Sequence, residues 1–391
     1  MHLERHMAAL LIFNFWNALM LLMFRPLVPL YLDCLGIEPF TMGVVLSAYS
    51  LVPAVISLWV SWIVSRLTLR RWSYLLIVLT FSGCMLFYLS GNIGILFAGQ
   101  LLVGLAQILL VLGSQSYISC SCSDKSLTWG FSLLVASYGA AGIIGPTVGG
   151  FLAQQFDYRQ AFLVIGVSSI VGVFFSGLLA REYITKTKRV PIDRLHVHHI
   201  FESGRYKLSL MLTVAALCIL TLFNSFFPLY LRQMGLEPFS IGFLLSLRGV
   251  GELLAPPLLR ALERKLRRAR LLQATLVAEI GLVAMMPLLQ SALLLGVGSA
   301  MVGGAFGILT AMSLALATED TERETRAMAL GLRFTFNRIT DTLGPIVFGA
   351  AAVVWGYAAP FYVVVFYLVL ALVSVKVHFR ASKLSGEAGT G

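Results

Sequence analysis

PLYLDCLGIEPFTMGVVLS, residues 29–47, returns 199 residues later as PLYLRQMGLEPFSIGFLLS, residues 228–246, with 11 of 19 positions identical. The same offset carries Gly145, Pro146, Gly150, Tyr158 and Phe162 onto Gly344, Pro345, Gly349, Tyr357 and Phe361. The register therefore holds from the start of each half nearly to its end, and the chain is a duplication of one unit. Paired repeats of this length are characteristic of membrane carriers.

Composition places both repeats in a bilayer. Of 391 residues, 58% are hydrophobic and 12% charged, with a mean hydropathy of +0.87, too little polar surface for a water-soluble domain. Residues 72–123 run 52 positions without Asp, Glu, Lys or Arg, room for two spanning helices of about 20 residues each, with Ser90-Gly91-Asn92 as the turn. Apolar runs and breakers predict an all-α membrane protein of twelve transmembrane helices, near 7–32, 40–65, 73–90, 93–118, 129–155, 160–180, 208–231, 239–260, 271–288, 291–318, 327–354 and 357–379. The first run exceeds a signal-peptide core and no small-residue cleavage site follows it, so it reads as a retained first span. The domains expected are a six-helix bundle over 1–180, a cytoplasmic linker over 181–207 that includes His196, His198 and His199, a second bundle over 208–380, and a loose tail over 381–391. Six spans per half is an even number, so both halves have the same orientation in the membrane.

The formal charge is +11, and its distribution decides what it means. With the N-terminus inside, 23 Lys and Arg fall in inward segments or at the inward ends of spans (Arg260 and Lys376 among them), two (Arg159 and Arg232) in outward ones and four deeper within spans, completing the 29. This is the positive-inside asymmetry of a multi-pass cell-membrane protein with both termini cytoplasmic, and it excludes a nucleic-acid footprint. Five scattered cysteines show no metal-ligand spacing. There is no nucleotide-binding loop or nucleophile constellation, so neither catalysis nor a cofactor is expected.

In the fifth span stands Gly145-Pro146-Thr147-Val148-Gly149-Gly150. Together with twelve spans, a parallel duplication and a central basic loop, this string resembles the major facilitator superfamily over nearly the whole chain, and specifically the antiporter motif of its drug–proton exchangers. Pro146 removes a backbone hydrogen bond, while Gly145 and Gly149, one turn apart, let a neighbouring helix approach closely. Helix packing and a role in coupling both fit these residues, and Gly344-Pro345 in the eleventh span repeats the pattern. Two family signatures depart. Where the family carries Gly-x-x-x-Asp-Arg-x-Gly-Arg-Arg between spans two and three, this chain has Ser61, Ser65, Arg66, Thr68, Arg70 and Arg71, keeping the cations of that gate without its aspartate. Where proton-coupled members often carry an arginine in the fourth span, Gln100 stands.

Seven charges fall inside spans away from the inward ends that hold Arg260 and Lys376: Arg25 in the first, Arg248 and Glu252 in the eighth, Glu279 in the ninth, and Arg333, Arg338 and Asp341 in the eleventh. A charge at mid-membrane costs roughly 2.5–3.5 kcal/mol on insertion scales, so each calls for a partner, water or a use. Arg248 and Glu252 are four apart on one helical face and are expected to pair; Arg338 can pair with Asp341, and Arg333, Asn337 and Asp341 form one stripe. Either the pairs merely neutralise charge or Glu252 and Asp341 carry the coupling proton. The resemblance implies that spans one, four, seven and ten line the pathway, which here brings Asn14, Asn17, Arg25, Gln107, Gln115 and Asn224 together with Arg248 and Asn337 as substrate-binding candidates. Phe13, Phe15, Trp16, Met20 and Phe24 either line a greasy cavity or pack and face lipid. Glu279 has no charged partner within a turn of its own helix and is not expected to be functional.

The expected function is secondary transport by alternating access, with proton-coupled efflux of a small amphipathic compound first. Organic-anion transport follows, because four intramembrane arginines face three acids; a lipid-handling or sensor protein on the same scaffold is third. Expected partners are a small-molecule substrate, protons and membrane lipids, with the protein a monomer.

Overall fold

A computed structural model of the protein describes residues 2–66, 68–121, 124–177, 203–319 and 326–387. Among these residues the chain forms helices and no β-strand. The twelve expected spans are present, six per repeat. The first six are His2–Cys34, Pro39–Arg66, Leu69–Leu89, Ile93–Ser121, Asp124–Phe156 and Tyr158–Ile170, the last continuing after a break as Gly172–Gly177. The second six are Gly204–Ser225 continuing as Phe227–Gln233, Pro238–Glu263, Arg268–Met285 with a closing 3₁₀ turn at Met286–Leu288, Ala292–Glu319, Arg326–Trp355 and Ala359–Glu387. Ten of them are long and apolar enough to cross a membrane; the second span contributes the shorter apolar stretch Pro39–Val55.

The repeated tract decides where spans one and seven stop. Gly36 and Gly235 have φ of +69° and +84°, a left-handed turn that glycine adopts without a Cβ clash. In the first repeat the Ile37 N–H donates to the Leu32 carbonyl at 3.2 Å and the Gly36 N–H to Asp33 at 2.9 Å; in the second, Leu236 donates to Leu231 and Gly235 to Arg232 at 3.2 and 2.8 Å. Both are Schellman caps, and each is followed by a proline at the first position of the next helix. A second matched turn sits at Asp157 and Gly356, both with φ of 75°.

Two expectations about boundaries change. The seventh span breaks at Phe226, just before Pro228 at the start of its second piece, whereas the equivalent Pro29 stays inside the continuous first helix. The final helix runs on to Glu387, past residue 381 where a loose tail was expected. The histidines of the linker lie outside the described residues.

Contacts divide the chain into two compact units, residues 1–189 with 224–246, and 190–223 with 247–391. The end of the seventh span and the start of the eighth group with the first repeat. In the first unit, span one packs on span five, two on four, and three on four and six. Its core includes Phe24, Phe87 and Phe162, mutually 4.9–5.3 Å apart between ring centroids. In the second, span nine packs on spans ten and twelve, repeating the pairing of three with four and six. The aromatic residues of the first span pack rather than line a cavity: Phe13 and Phe24 are fully buried, and the Trp16 indole donates to the Ser168 carbonyl at 2.9 Å.

Candidate functional site

Close backbone approach sets the scaffold. A Cβ on Gly104 would meet the Tyr49 carbonyl, and one on Gly303 the Arg248 carbonyl; the 199-residue offset relates both the two glycines and the two residues they face. Likewise a Cβ on Gly145 would lie 3.1 Å from Leu22, and one on Gly344 2.9 Å from Thr221, again equivalent neighbours. Gly149 faces Met23, Gly150 faces the Pro238 carbonyl, and Gly242 of the eighth span faces the Pro146 carbonyl. The Thr147 hydroxyl donates to Ser246 Oγ at 2.8 Å. The Gly-Pro string of the fifth span is thus the contact surface for spans one and eight within the first unit. Pro345 follows Gly344 inside the eleventh helix.

The amides of the first unit form interhelical bonds. Asn14 donates to Ser137 Oγ at 2.7 Å and accepts from Ser114 Oγ at 3.2 Å, tying together spans one, five and four. Buried Asn17 donates to the Phe13 carbonyl of its own helix at 2.8 Å, which leaves its oxygen without a hydrogen-bond partner. Gln107 lies 3.4 Å from the Tyr138 hydroxyl, and Gln100 is buried with an unsatisfied oxygen. Gln115 is exposed and Asn224 half-buried. The Arg25 guanidinium lies over the Tyr49 ring, 4.9 Å from its centroid, a cation–π arrangement.

Six of the seven intramembrane charges belong to the second unit. Arg248 Nη1 meets Glu252 Oε2 at 3.1 Å and lies 5.5 Å from the Phe306 ring. Buried Asp341 accepts from the Thr221 hydroxyl at 2.9 Å and stands 3.9 Å from Arg338; Arg338 also covers the Phe334 ring at 4.9 Å. Arg333 Nε donates to Thr213 Oγ1 at 2.8 Å, and Thr213 is 2.6 Å from Ser313 Oγ. Asn337 is half-buried with its oxygen unsatisfied. Glu279 is fully buried and neither carboxyl oxygen has a hydrogen-bond partner.

At the loop between spans two and three, Arg70 donates to the Gly177 carbonyl at 2.8 Å, while the Arg71 N–H is capped by Thr68 Oγ1. Arg66 ends the second helix, and its side chain lies outside the described residues.

Sequence reasoning missed the hydroxyls. Ser114, Ser137, Thr213, Thr221 and Ser313 hold the amides and charges in place, and the repeat contained a signal: Asn14–Ser114 and Thr213–Ser313 are equivalent pairs. Shifted back by the same 199 residues, Arg248, Glu252, Glu279, Arg333, Arg338 and Asp341 fall on Tyr49, Pro53, Thr80, Leu134, Gly139 and Gly142, none of them charged. The second unit also bears an open apolar groove of 530 Å³ beside spans eight, nine and ten, lined by Leu254, Leu258, Ala278, Met301 and Ile308 among others. No group of three metal-ligating side chains occurs among the described residues.

The sequence profile of the Major Facilitator Superfamily matches residues 10–339 and 209–389. The multidrug resistance protein MdtG of Serratia proteamaculans is 26% identical over 243 residues, 60% of this chain and 58% of that protein; MdtG of Citrobacter koseri is 26% identical over 288 residues, 67% of this chain and 70% of the relative. The chain thus spans less than two thirds of the first of these relatives. Among solved structures, a bacterial homologue of the human lysosomal transporter Spinster, in an inward-facing and unoccupied conformation, superposes with a TM-score of 0.80 at 13% identity, covering 97% of both chains. The nucleoside transporter NupG superposes at 0.77 and 14% identity, covering 95% of this chain and 98% of the other. At these identities the two structures establish the fold alone.

Proposed function

The chain belongs to the Major Facilitator Superfamily, and from that membership we propose that it is a secondary transporter of the cell membrane, working by alternating access to export a small amphipathic compound in exchange for protons. The observation that carries this reading is the presence, in one compact unit, of two arginine–carboxylate pairs inside membrane spans, Arg248–Glu252 at 3.1 Å and Arg338–Asp341 at 3.9 Å. A pair of this kind opens when a proton neutralises its acid, and the freed arginine changes its contacts, which couples protonation to conformation. The Gly-Pro string packed between spans one and eight supports the same reading, as do relatives named for multidrug resistance. The residues proposed to meet substrate are Asn14, Asn17, Arg25, Gln107, Gln115 and Asn224 in the first unit and, separately, Arg248 and Asn337 in the second; the proton is assigned to Glu252 and Asp341, helix packing and gating to Gly145, Pro146, Gly149 and Gly150 in the first unit and to Gly344 and Pro345 in the second, with Arg66, Arg70 and Arg71 at the inner gate. The protein acts as a monomer among membrane lipids, with both termini on the cytoplasmic side.

In proteoliposomes with an imposed pH gradient, the purified protein is expected to move ethidium. Glu252→Gln and Asp341→Asn are each expected to reduce that movement on the order of tenfold, within the usual range of site-to-site coupling. Ethidium movement unchanged in both variants rejects the assignment. A second reading, organic-anion transport, is favoured by the excess of one arginine among the intramembrane charges and by Arg25 held on the Tyr49 ring. Benzoate uptake that survives Arg25→Ala removes it.

A further inference from the structure

Glu279 is the one acid inside the spans that neither the pairs nor the amide network employs. It is fully buried, and both its oxygens lack a hydrogen bond. Its position in the repeat shows how unusual this is. The equivalent residue, Thr80, is equally buried and satisfies itself by donating to the Leu76 carbonyl of its own helix at 3.0 Å. Within the ninth span, Thr275 does the same with Leu271 at 2.9 Å. An ionised carboxyl can only accept, and so cannot use a helix carbonyl. The second repeat has put an ionisable group where a self-contained hydroxyl would serve packing, and burying such a group without partners is costly.

Two things can offset an ionised Glu279: a proton, or a cation. Among the described residues, the candidate cation is Arg248, whose helix shares a groove with the ninth: Gly251 and Leu254 line it from one side, and Thr275, Ala278 and Leu282 from the other. At present Arg248 is held by Glu252, whose side chain is 45% exposed against 16% for Arg248; the pair is thus lopsided, with one acid in the open and another, unbonded, in the interior. The other neighbours do not compete. Span ten has no charged or titratable residue before Glu319. In span twelve, Tyr362 is exposed, Tyr367 is half-buried, His378 faces Gly204, and Lys376 lies past the midpoint of the helix.

We propose that Glu279 is a proton-binding site of the transport cycle and that Arg248 is shared between two acids, bound to Glu252 while Glu279 carries the proton and to Glu279 once the proton has left. On one side a hydronium gives its proton to a Glu279 oxygen, making the O–H bond; on the other, the approach of Arg248 breaks that bond and the proton leaves to water, so one proton crosses per swing. This inference rests on the proposed proton coupling and names the residue that performs it at the ninth span.

The test has two arms. Infrared difference spectra of the protein in lipid, taken between acid and alkaline pH, are expected to show a carboxylic-acid carbonyl band that Glu279→Gln removes, with no substrate required. In proteoliposomes, Glu279→Gln is expected to lose pH-driven ethidium accumulation on the order of tenfold. Should Gln misfold, Glu279→Thr recreates the self-satisfied hydroxyl of the first repeat and is expected to give both results. Wild-type accumulation in the Gln or Thr variant, or an unchanged band, overturns the proposal. If the wild-type protein moves no ethidium, the transport reading fails while the infrared arm still decides Glu279.

Discussion

Asp33 and Arg232 occupy the same place in the two repeats, and their side chains meet, Arg232 Nε lying 3.1 Å from Asp33 Oδ2. Duplication put one residue type at both positions, and divergence has turned them into a complementary pair. Arg232 does more than bridge: its Nη1 donates to the Leu30 carbonyl at 3.0 Å and to the Tyr158 hydroxyl at 3.1 Å. The contact is supported nearby by Gln154, which bonds Glu237 and accepts from the Phe239 N–H.

The two partners are therefore unequal. Because the side chains are 32% and 27% exposed, the ion pair itself is worth ~0.2–1 kcal/mol. Asp33→Asn should lower Tm in detergent slightly; Arg232→Gln should lower it more, since three acceptors lose their donor. The exchange Asp33→Arg with Arg232→Asp should recover ethidium transport lost in Asp33→Arg alone.

Gly104 and Gly303 make matched backbone contacts, with no room for a methyl group before the Tyr49 or Arg248 carbonyl. Overpacking of this kind costs ~1–3 kcal/mol, so Gly104→Ala and Gly303→Ala should lower Tm by similar amounts. Gly139→Ala, where nothing lies within 4 Å of an added Cβ, should leave it unchanged or raise it.

Thr221 donates to buried Asp341, a bond to a charged group worth ~1.5–3 kcal/mol. Thr221→Val should lower both Tm and pH-driven ethidium movement. In combination with Asp341→Asn the losses should be less than additive, since both changes remove one interaction.

Arg70 and Arg71 look alike in the sequence and differ in the fold. Arg70 holds the Gly177 carbonyl at the end of the sixth span, whereas the Arg71 side chain is exposed. Arg70→Gln should therefore lower Tm measurably and Arg71→Gln should not.

The fold was legible because its signals are long-range in sequence but simple in kind. A 199-residue repeat and twelve apolar runs dictate two sets of six spans. Pairs on one helix, Arg248–Glu252 and Arg338–Asp341, could also be read from spacing, since helical geometry fixes which residues share a face. Partners on other helices could not. Asn14 with Ser114 and Ser137, Arg25 with Tyr49, and Arg333 with Thr213 depend on which helices adjoin and at what height. The surroundings of Glu279 were illegible for the same reason: periodicity along the ninth helix shows that it has no partner on its own span and says nothing of the other spans. The break at Phe226 was obscured because the apolar run continues through it.

The fixed charges are distributed very unevenly between the repeats: within its spans the first has Arg25 alone, while the second has three arginines and three acids where its sister has Tyr, Pro, Thr, Leu and Gly. An elementary charge moved across the bilayer exchanges ~2.3 kcal/mol with each 100 mV of membrane potential. Three arginines and three acids sum to zero, so an arginine that travels with its acid exchanges nothing with the membrane potential; only the parting of a pair such as Arg248 and Glu252 would expose the second repeat to the field.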